Sequence, residues 1–113
     1  MTELSKAACV PCQGGVPVLT DNEIKALKLE VPLWKVVKVG GVKRLRREFT
    51  FPDFAAALAF AFRVGEIAEE QQHHPDLHVS WGKVVVEIWT HKINGLHQND
   101  FILAAKVDQI PGV

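Results

Sequence analysis

The sequence predicts an α+β fold: a four-stranded antiparallel sheet with helices packed on one face, in the element order αββαββα. Two stretches of alternating apolar and polar residues are each interrupted by a short turn that contains glycine, which is typical of β-hairpins. Three further segments carry apolar residues at helical spacing behind helix-start signals. Because the strands come in hairpins rather than singly between helices, we expect an antiparallel sheet.

Length and composition indicate one globular domain. The chain has 113 residues, of which 48% are hydrophobic and 23% charged, as is usual for a protein with one core. Basic and acidic residues both number 13, so the net charge is zero and non-specific binding to nucleic acid or anionic membranes is not expected. A secretion signal is not recognisable, and the longest apolar run, 54–62, is too short to cross a bilayer. We therefore expect a cytoplasmic protein.

The N-terminal segment differs from the rest of the chain. Residues 1–18 are rich in glycine and proline and show no periodic pattern, so we expect a flexible arm before a single domain at 19–113. The arm holds the pair Cys9-x-x-Cys12. Because a second pair is missing, we interpret these cysteines as free thiols; the alternatives are a zinc site or a disulfide, which two subunits could share.

The domain is expected to begin with a short helix over about 21–29. Thr20 and Glu23 have the spacing of a capping box, in which each side chain accepts from the backbone N–H of the other residue. A hairpin follows, with strands over 34–39 and 42–51 joined by a Gly-Gly turn that tolerates positive φ.

The longest helix is expected over 53–72, and Pro52 suits its start. The helix has a wide apolar face, which is predicted to be buried. The residues that mark this face are Phe54, Leu58 and Phe62. Pro75 keeps the preceding residue out of the helical region, so His73 and His74 are expected just past the helix end.

A second hairpin and a last helix complete the fold. The hairpin is expected between residues 77 and 90, around a turn that contains glycine. Alternation places Trp89 and His91 on the same face of its second strand. The last helix is expected over 98–110, with Asp100 in the first turn, where a carboxylate is favourable.

Three histidines, His73, His74 and His91, are the candidate functional residues. Histidine both takes and gives a proton near neutral pH, so a His-His pair in front of a proline indicates proton-transfer chemistry. A metal site made of these three is less favoured, because adjacent residues point in different directions and only one carboxylate is near. Solvated or structural histidines are the remaining alternative, and they are the interpretation of His78 and His97.

Seven residues are spaced as in a known signature: Glu69-x3-His73-His74-Pro75-x5-Trp81-x9-His91-x8-Asp100. This pattern resembles that of the pterin-4a-carbinolamine dehydratase family. The resemblance extends over most of the chain, including the strand at Trp34 and the Phe-x-Phe-x-Asp-Phe entry to the long helix. The N-terminal Cys-x-x-Cys-x-Gly-Gly segment is similar to bacterial members.

The resemblance implies the same α+β fold and a hydro-lyase. Members of the family dehydrate 4a-hydroxytetrahydrobiopterin to quinonoid dihydropterin and water, and so recycle the pterin used by aromatic amino acid hydroxylases. They use no metal and no organic cofactor. Removal of water needs a base for the pterin N–H proton and an acid for the departing hydroxyl, and histidines can supply both at neutral pH.

The resemblance also implies roles for residues. His73 and His91 are the expected acid–base residues, and His74 is expected to position the carbinolamine and to assist. Trp81 and Asp100 belong to the signature, but we expect structural roles for them, in hairpin packing and at a helix start.

Three further residues are expected to contact or shape the substrate site. Glu69 lies four residues before His73 and is expected to orient that imidazole if the helix persists to Gln72. Pro75 is expected to fix the turn that aims the histidine pair. Trp34 is expected to offer an aromatic wall to the flat pterin ring.

Partners follow from the same resemblance. It implies a homodimer or homotetramer assembled through sheet edges and helices, with a functional link to phenylalanine hydroxylase and no direct contact with nucleic acid or membranes. Relatives of this fold also serve as a dimerisation partner of a homeodomain transcription factor or as assembly factors for carbon-fixing enzymes. A non-catalytic protein-interaction module is therefore the alternative, and it is less favoured because the chain keeps all three histidines.

Overall fold

The computed structural model describes residues 4–11 and 14–111. The helices are α1 (Asp21–Lys28), α2 (Phe54–Gln71) and α3 (Gln98–Asp108), and the strands are β1 (Lys35–Val39), β2 (Val42–Thr50), β3 (Asp76–Ser80) and β4 (Lys83–Ile88). Their order is the predicted αββαββα, with short 3-10 helices at Leu4–Lys6 and His91–Ile93 in addition. No helix in this part of the chain is long and apolar enough to span a bilayer.

The strands form one antiparallel sheet in the order β1-β2-β4-β3, which confirms the predicted sheet. The central strands β2 and β4 join the two hairpins, with Phe49 opposite Val84. The first hairpin turns at Gly40 and Gly41, whose φ angles are 58° and 82°. A two-residue hairpin turn of type I′ needs positive φ at both positions, and glycine adopts it without strain.

One face of the sheet packs against α2 and α3 and holds the hydrophobic core, as predicted. The buried strand residues on this face are Leu45, Phe49, Val84, Val86 and Ile88. Phe60 of α2 packs on the ring of Phe49, with the ring centroids 4.6 Å apart. Phe101 and Leu103 of α3 are fully buried in the same core.

The buried face of α2 is not the predicted one. Phe54, Leu58 and Phe62 are 43%, 51% and 70% exposed. The residues that face the core instead are Ala57, Phe60, Ala61, Val64, Ile67 and Ala68. Apolar residues lie on both sides of this helix, so spacing alone gives two candidate faces and does not say which one meets the sheet. We call the exposed row of Phe54, Leu58 and Phe62 the α2 stripe.

The opposite face of the sheet is largely polar. Arg44 and Arg46 of β2 both pair with Glu87 of β4, at N···O distances of 3.0 Å and 3.4 Å. The guanidinium of Arg44 also lies over the ring of Trp89, 3.6 Å from its centroid. These contacts fix the indole that follows β4.

Part of the segment predicted to be a flexible arm packs onto the domain. Leu4 is 1% exposed and belongs to the core, and its N–H donates to Glu30 Oε1 at 3.3 Å. The ammonium of Lys106 in α3 donates to the carbonyl of Ser5 at 2.9 Å. Burial of the leucine side chain offsets part of the entropy lost when the segment is ordered. Cys12 lies outside the described residues, and the domain boundary at residue 19 stays a prediction.

Candidate active site

The end of α2 sets the positions of His73 and His74. Gln72 adopts the left-handed conformation, with φ 55° and ψ 38°, and the N–H of His73 bonds back to the carbonyl of Ala68 at 3.1 Å. This arrangement closes the last helical turn and directs the chain away from the helix axis. Pro75 then leads into β3. The two histidines therefore lie in the short connection between α2 and β3, as predicted.

His73 is held by a buried carboxylate. Its Nε2 lies 2.6 Å from Oδ1 of Asp100, and the two residues are 9% and 0% exposed. The Oδ2 atom of Asp100 accepts from the Thr90 hydroxyl at 2.9 Å and from the backbone N–H of His97 at 2.8 Å. Three donors fix the carboxylate and, through it, the imidazole. An ionised carboxylate only accepts, so Nε2 of His73 is the donor in this contact, and in the neutral ring the lone pair is then on Nδ1.

His74 and Glu69 form a second imidazole–carboxylate pair. Nε2 of His74 contacts Oε2 of Glu69, and the side chains are 54% and 74% exposed. The sequence placed Glu69 beside His73; in the structure its partner is His74. The reason is that the helix ends at Gln71, and the left-handed turn at the next residue directs His73 towards Asp100 of α3.

His91 enters the site from the end of β4. It begins the 3-10 helix that follows the strand, and the N–H of Thr90 closes this loop by donating to the carbonyl of Gly95 at 2.9 Å. The ring of His91 meets the ring of Trp89 edge-on, with centroids 4.4 Å apart and planes at 79°. Since Trp89 is stacked by Arg44, the imidazole rests on a fixed aromatic neighbour.

The three predicted histidines line one cavity of about 250 Å³. The other lining residues are Val10, Gln72, Trp89, Thr90 and Lys92. His73 is the buried imidazole of the set, whereas His74 and His91 are exposed at the opening. Imidazoles that converge on an open cavity can take a proton from a bound small molecule and return one to it.

Trp34 and Trp81 do not lie in the surroundings that the sequence predicted for them. Trp34 is 0% exposed, its indole N–H donates to Oδ1 of Asp108 at 2.8 Å, and its ring packs edge-on against Phe49. A ring enclosed by the core does not face a ligand, so the structure does not bring Trp34 to the cavity. Trp81, expected to pack within its hairpin, is 73% exposed in the turn between β3 and β4.

Sequence reasoning did not assign Trp89 and Asp100 to the site. The available signal for Trp89 was the strand alternation, which places it two residues before His91 on the same face. Asp100 was interpreted as a helix-start carboxylate, and it does accept from the backbone N–H of His97 at 2.8 Å. Its second role, as the partner of His73, depends on a contact across 27 residues that has no local signal.

Within residues 4–11 and 14–111, one group of side chains has metal-ligand atoms within 4.8 Å of one another: Asp76, His78 and Glu87. It lies on the polar face of the sheet, where Glu87 is already paired with Arg44, and it contains none of the three cavity histidines. That the histidine site works without a metal stays a prediction.

Comparison with known proteins decides the family. The profile described as pterin 4 alpha carbinolamine dehydratase matches residues 17–110. The chain belongs to this family. A Chlorobium luteolum relative is 52% identical over 110 residues, which cover 97% of this chain and 96% of the relative. A Chlorobium limicola relative is 57% identical over 107 residues, or 94% of each chain. Both relatives are provisionally named pterin-4-alpha-carbinolamine dehydratases.

Two solved structures agree with the fold. A transcriptional coactivator/pterin dehydratase from Brucella melitensis superposes with a TM-score of 0.75 at 31% identity, over 85% of this chain and 100% of that one. A pterin dehydratase-like protein, identified as a RuBisCO assembly factor in the alpha-carboxysome, gives a TM-score of 0.57 at 23% identity, over 69% and 90% of the two chains. The second likeness concerns the fold alone.

Proposed function

We propose that the protein is a 4a-hydroxytetrahydrobiopterin dehydratase, which converts the pterin-4a-carbinolamine to quinonoid dihydropterin and water by histidine acid–base catalysis. The observation that carries this proposal is the convergence of His73, His74 and His91 on one cavity. The fixed contact between His73 and the buried Asp100 adds to it. Membership of the pterin dehydratase family and the names of the relatives support the same reaction.

The reaction needs one proton removed and one supplied. A base takes the pterin N–H proton, and the freed electron pair forms a double bond from nitrogen to the carbon that bears the hydroxyl. The carbon–oxygen bond breaks, and an acid donates a proton so that the hydroxyl leaves as water. Both groups must lie within hydrogen-bond reach of the substrate.

The contacts of each histidine suggest how these roles are divided. His73 acts as the base, because its Nε2 proton is directed to Asp100 and its Nδ1 lone pair is available. His91 supplies the proton to the leaving hydroxyl, and His74 positions the carbinolamine while Glu69 holds its ring. The half-buried Trp89 takes the place expected for Trp34 as the aromatic surface beside the pterin.

The test is the decay of freshly generated 4a-hydroxytetrahydropterin, followed by ultraviolet absorbance with and without the protein. The carbinolamine also dehydrates unaided, so two decay rates are compared at neutral pH. We expect the protein to accelerate the decay and His73→Ala to lower the catalysed rate about 10²-fold or more. The matched control is His78→Ala, an exposed histidine of β3 outside the cavity. Folded wild-type protein that gives no acceleration would refute the proposal.

The proposal includes a cellular setting. The carbinolamine is supplied by an aromatic amino acid hydroxylase such as phenylalanine hydroxylase, and the product returns to the pterin pool. The reaction takes place in the cytoplasm and uses no metal and no organic cofactor.

We also propose that the chain assembles into a homodimer or homotetramer and that the α2 stripe contacts a second copy of the chain. The resemblance to the family implies an oligomer. The stripe adds three large apolar side chains, 43% to 70% exposed, at four-residue spacing on one helix. This spacing is that of a ridge which packs against another helix.

One observation also favours the second candidate function, a non-catalytic protein-interaction module. The α2 stripe is an apolar surface that a different protein could cover, and the Brucella melitensis relative carries the word coactivator in its title. A protein partner recovered in stoichiometric amount from a pull-down, together with no pterin turnover, would favour this function. The buried pair of His73 and Asp100 argues for catalysis, since a surface interaction has no use for it.

A further inference from the structure

The N-terminal segment reaches the histidine cavity at Val10. This residue lines the cavity and is 58% exposed. Both backbone polar groups of Val10 bond to the side chain of Asn99: its N–H donates to Oδ1 at 3.0 Å, and its carbonyl accepts from Nδ2 at 2.7 Å. The two bonds resemble those between paired strands, and they fix the position of Val10 relative to α3.

Asn99 is suited to this task because it is buried. It is 1% exposed, and a carboxamide at such a position is costly unless its donor and acceptor are both paired. The backbone of Val10 pairs both. Displacement of the segment would break both hydrogen bonds of the Asn99 amide, so these bonds favour the seated segment.

Neighbouring contacts hold the same segment. The N–H of Cys9 donates to Oε1 of Gln71 at 2.9 Å, at the end of α2, and the Cys9 thiol lies 3.5 Å from the carbonyl oxygen of Asn99. Burial raises the pKa of the Cys9 thiol to about 11. Together with the buried Leu4, these contacts seat residues 4–10 against α2 and α3.

We infer that Val10 is a wall of the cavity that contacts the reduced pterin, and that Asn99 is the positioning residue that holds this wall in place. The inference rests on the proposed function and extends it to residues that the histidine signature does not include. Asn99 directly precedes Asp100, so adjacent residues of α3 hold two residues that line the cavity, Val10 and His73.

Steady-state dehydration kinetics test the role of Val10. Val10→Ala keeps both backbone bonds to Asn99 and shortens the side chain. We expect KM for the carbinolamine to rise about threefold or more while kcat stays within about twofold, because the change removes binding contact and leaves the histidines in place. Val16→Ala is the matched control: it shortens another exposed valine of the same segment, outside the cavity, and should leave both constants unchanged.

A double-mutant cycle tests the link to Asn99. Asn99→Ala should raise KM for the carbinolamine as Val10→Ala does. The KM of the double variant should lie within about twofold of that of Asn99→Ala, because Val10 is already displaced in the single variant. If the KM increases of the two single variants multiply in the double variant, Asn99 acts on the substrate independently of Val10, and the positioning role of Asn99 is overturned. An unchanged KM in Val10→Ala would overturn the proposal that Val10 contacts the pterin.

Alkylation of Cys9 gives a readout that does not depend on the pterin. With iodoacetamide at pH 8 and peptide mass spectrometry, we expect Asn99→Ala to raise the labelling rate of Cys9 about tenfold or more, since release of the segment exposes the thiol. Val10→Ala should leave the rate unchanged. An unchanged rate in Asn99→Ala would overturn the idea that Asn99 holds the segment. If wild-type protein fails to dehydrate the carbinolamine, the proposed function and the contact of Val10 with the pterin are both refuted. The labelling rate of Cys9 still decides whether Asn99 holds the segment.

Discussion

Substitution of Asp100 by asparagine tests the buried pair at the centre of the site. Oδ2 of Asp100 accepts from two donors, the Thr90 hydroxyl and the backbone N–H of His97. The hydroxyl can rotate, but the direction of the backbone N–H is fixed by the chain. The amide oxygen of the new asparagine therefore takes the Oδ2 position, and the NH₂ group takes the Oδ1 position opposite Nε2 of His73. Two donors cannot pair, so His73 must move its proton from Nε2 to Nδ1.

The size of the effect follows from this change of tautomer. His73 then has no lone pair on Nδ1 for the base role proposed for it, so we expect kcat for dehydration to fall about 10²–10⁴-fold. In the variant, the bonds from Thr90 and from the His97 N–H reach a neutral oxygen, and in the bond with His73 the donor and the acceptor are exchanged. Each of these three changes weakens its hydrogen bond by about 1 kcal/mol. Removal of a buried charge offsets part of this loss. The free energy of unfolding should therefore fall by about 1–3 kcal/mol.

The assay pairs the rate measurement with urea denaturation and with the ¹⁵N chemical shifts of the His73 ring, which report the tautomer. Asp108→Asn is the matched control: Asp108 lies in the same helix and accepts from Trp34, but it is not at the cavity. It should lower stability without lowering the dehydration rate of the folded enzyme. An Asp100→Asn enzyme within about threefold of the wild-type rate would refute the reasoning, because His73 would then act without its carboxylate.

Three other predictions concern the rest of the chain. Thr20→Ala removes one bond of the capping box of α1 and should lower the free energy of unfolding by about 1 kcal/mol in urea denaturation. Phe62→Glu places a charge in the α2 stripe and should reduce the mass measured by light scattering to that of a smaller assembly, whereas Arg63→Glu beside the stripe should not. Burial raises the pKa of Cys9 from 9.0 to about 11, so its thiolate fraction at pH 8 falls about a hundredfold. Alkylation of Cys9 should therefore be slower in native than in urea-unfolded protein by that factor, and the native rate should increase as the pH rises.

The elements of this fold could be predicted because their signals are local. The capping box at Thr20 is present with both of its bonds, and α1 begins directly after it. The Gly40-Gly41 turn has the two positive φ angles that a type I′ hairpin turn needs. Such signals depend on the preferences of a few consecutive residues, so they persist whatever the rest of the chain does.

The contacts of the site could be predicted only in part, because they depend on how the elements pack. Strand alternation indicated that Trp89 and His91 share a face, but it gave no reason to choose Trp89 over Trp34 as the aromatic residue at the cavity. That choice depends on contacts distant in sequence: the Trp34 ring packs in the core against Phe49, and its N–H donates to Asp108, 74 residues away. Likewise, helical spacing paired Glu69 with His73, and one left-handed residue at the end of α2 changed the partner to His74.

The first turn of α3 couples the stability of the helix to the chemistry of the site. A carboxylate at a helix start usually satisfies backbone N–H groups and does nothing else. Here the side chain of Asp100 accepts from the backbone of His97 and also holds His73, while Asn99 beside it holds the segment that carries Val10. Fraying of this turn would therefore loosen the His73 imidazole and Val10 together. Substitutions at 97–100 should lower activity in proportion to the loss of order in this turn, whereas a change at Thr20 that costs the same stability should leave the rate of the folded enzyme intact.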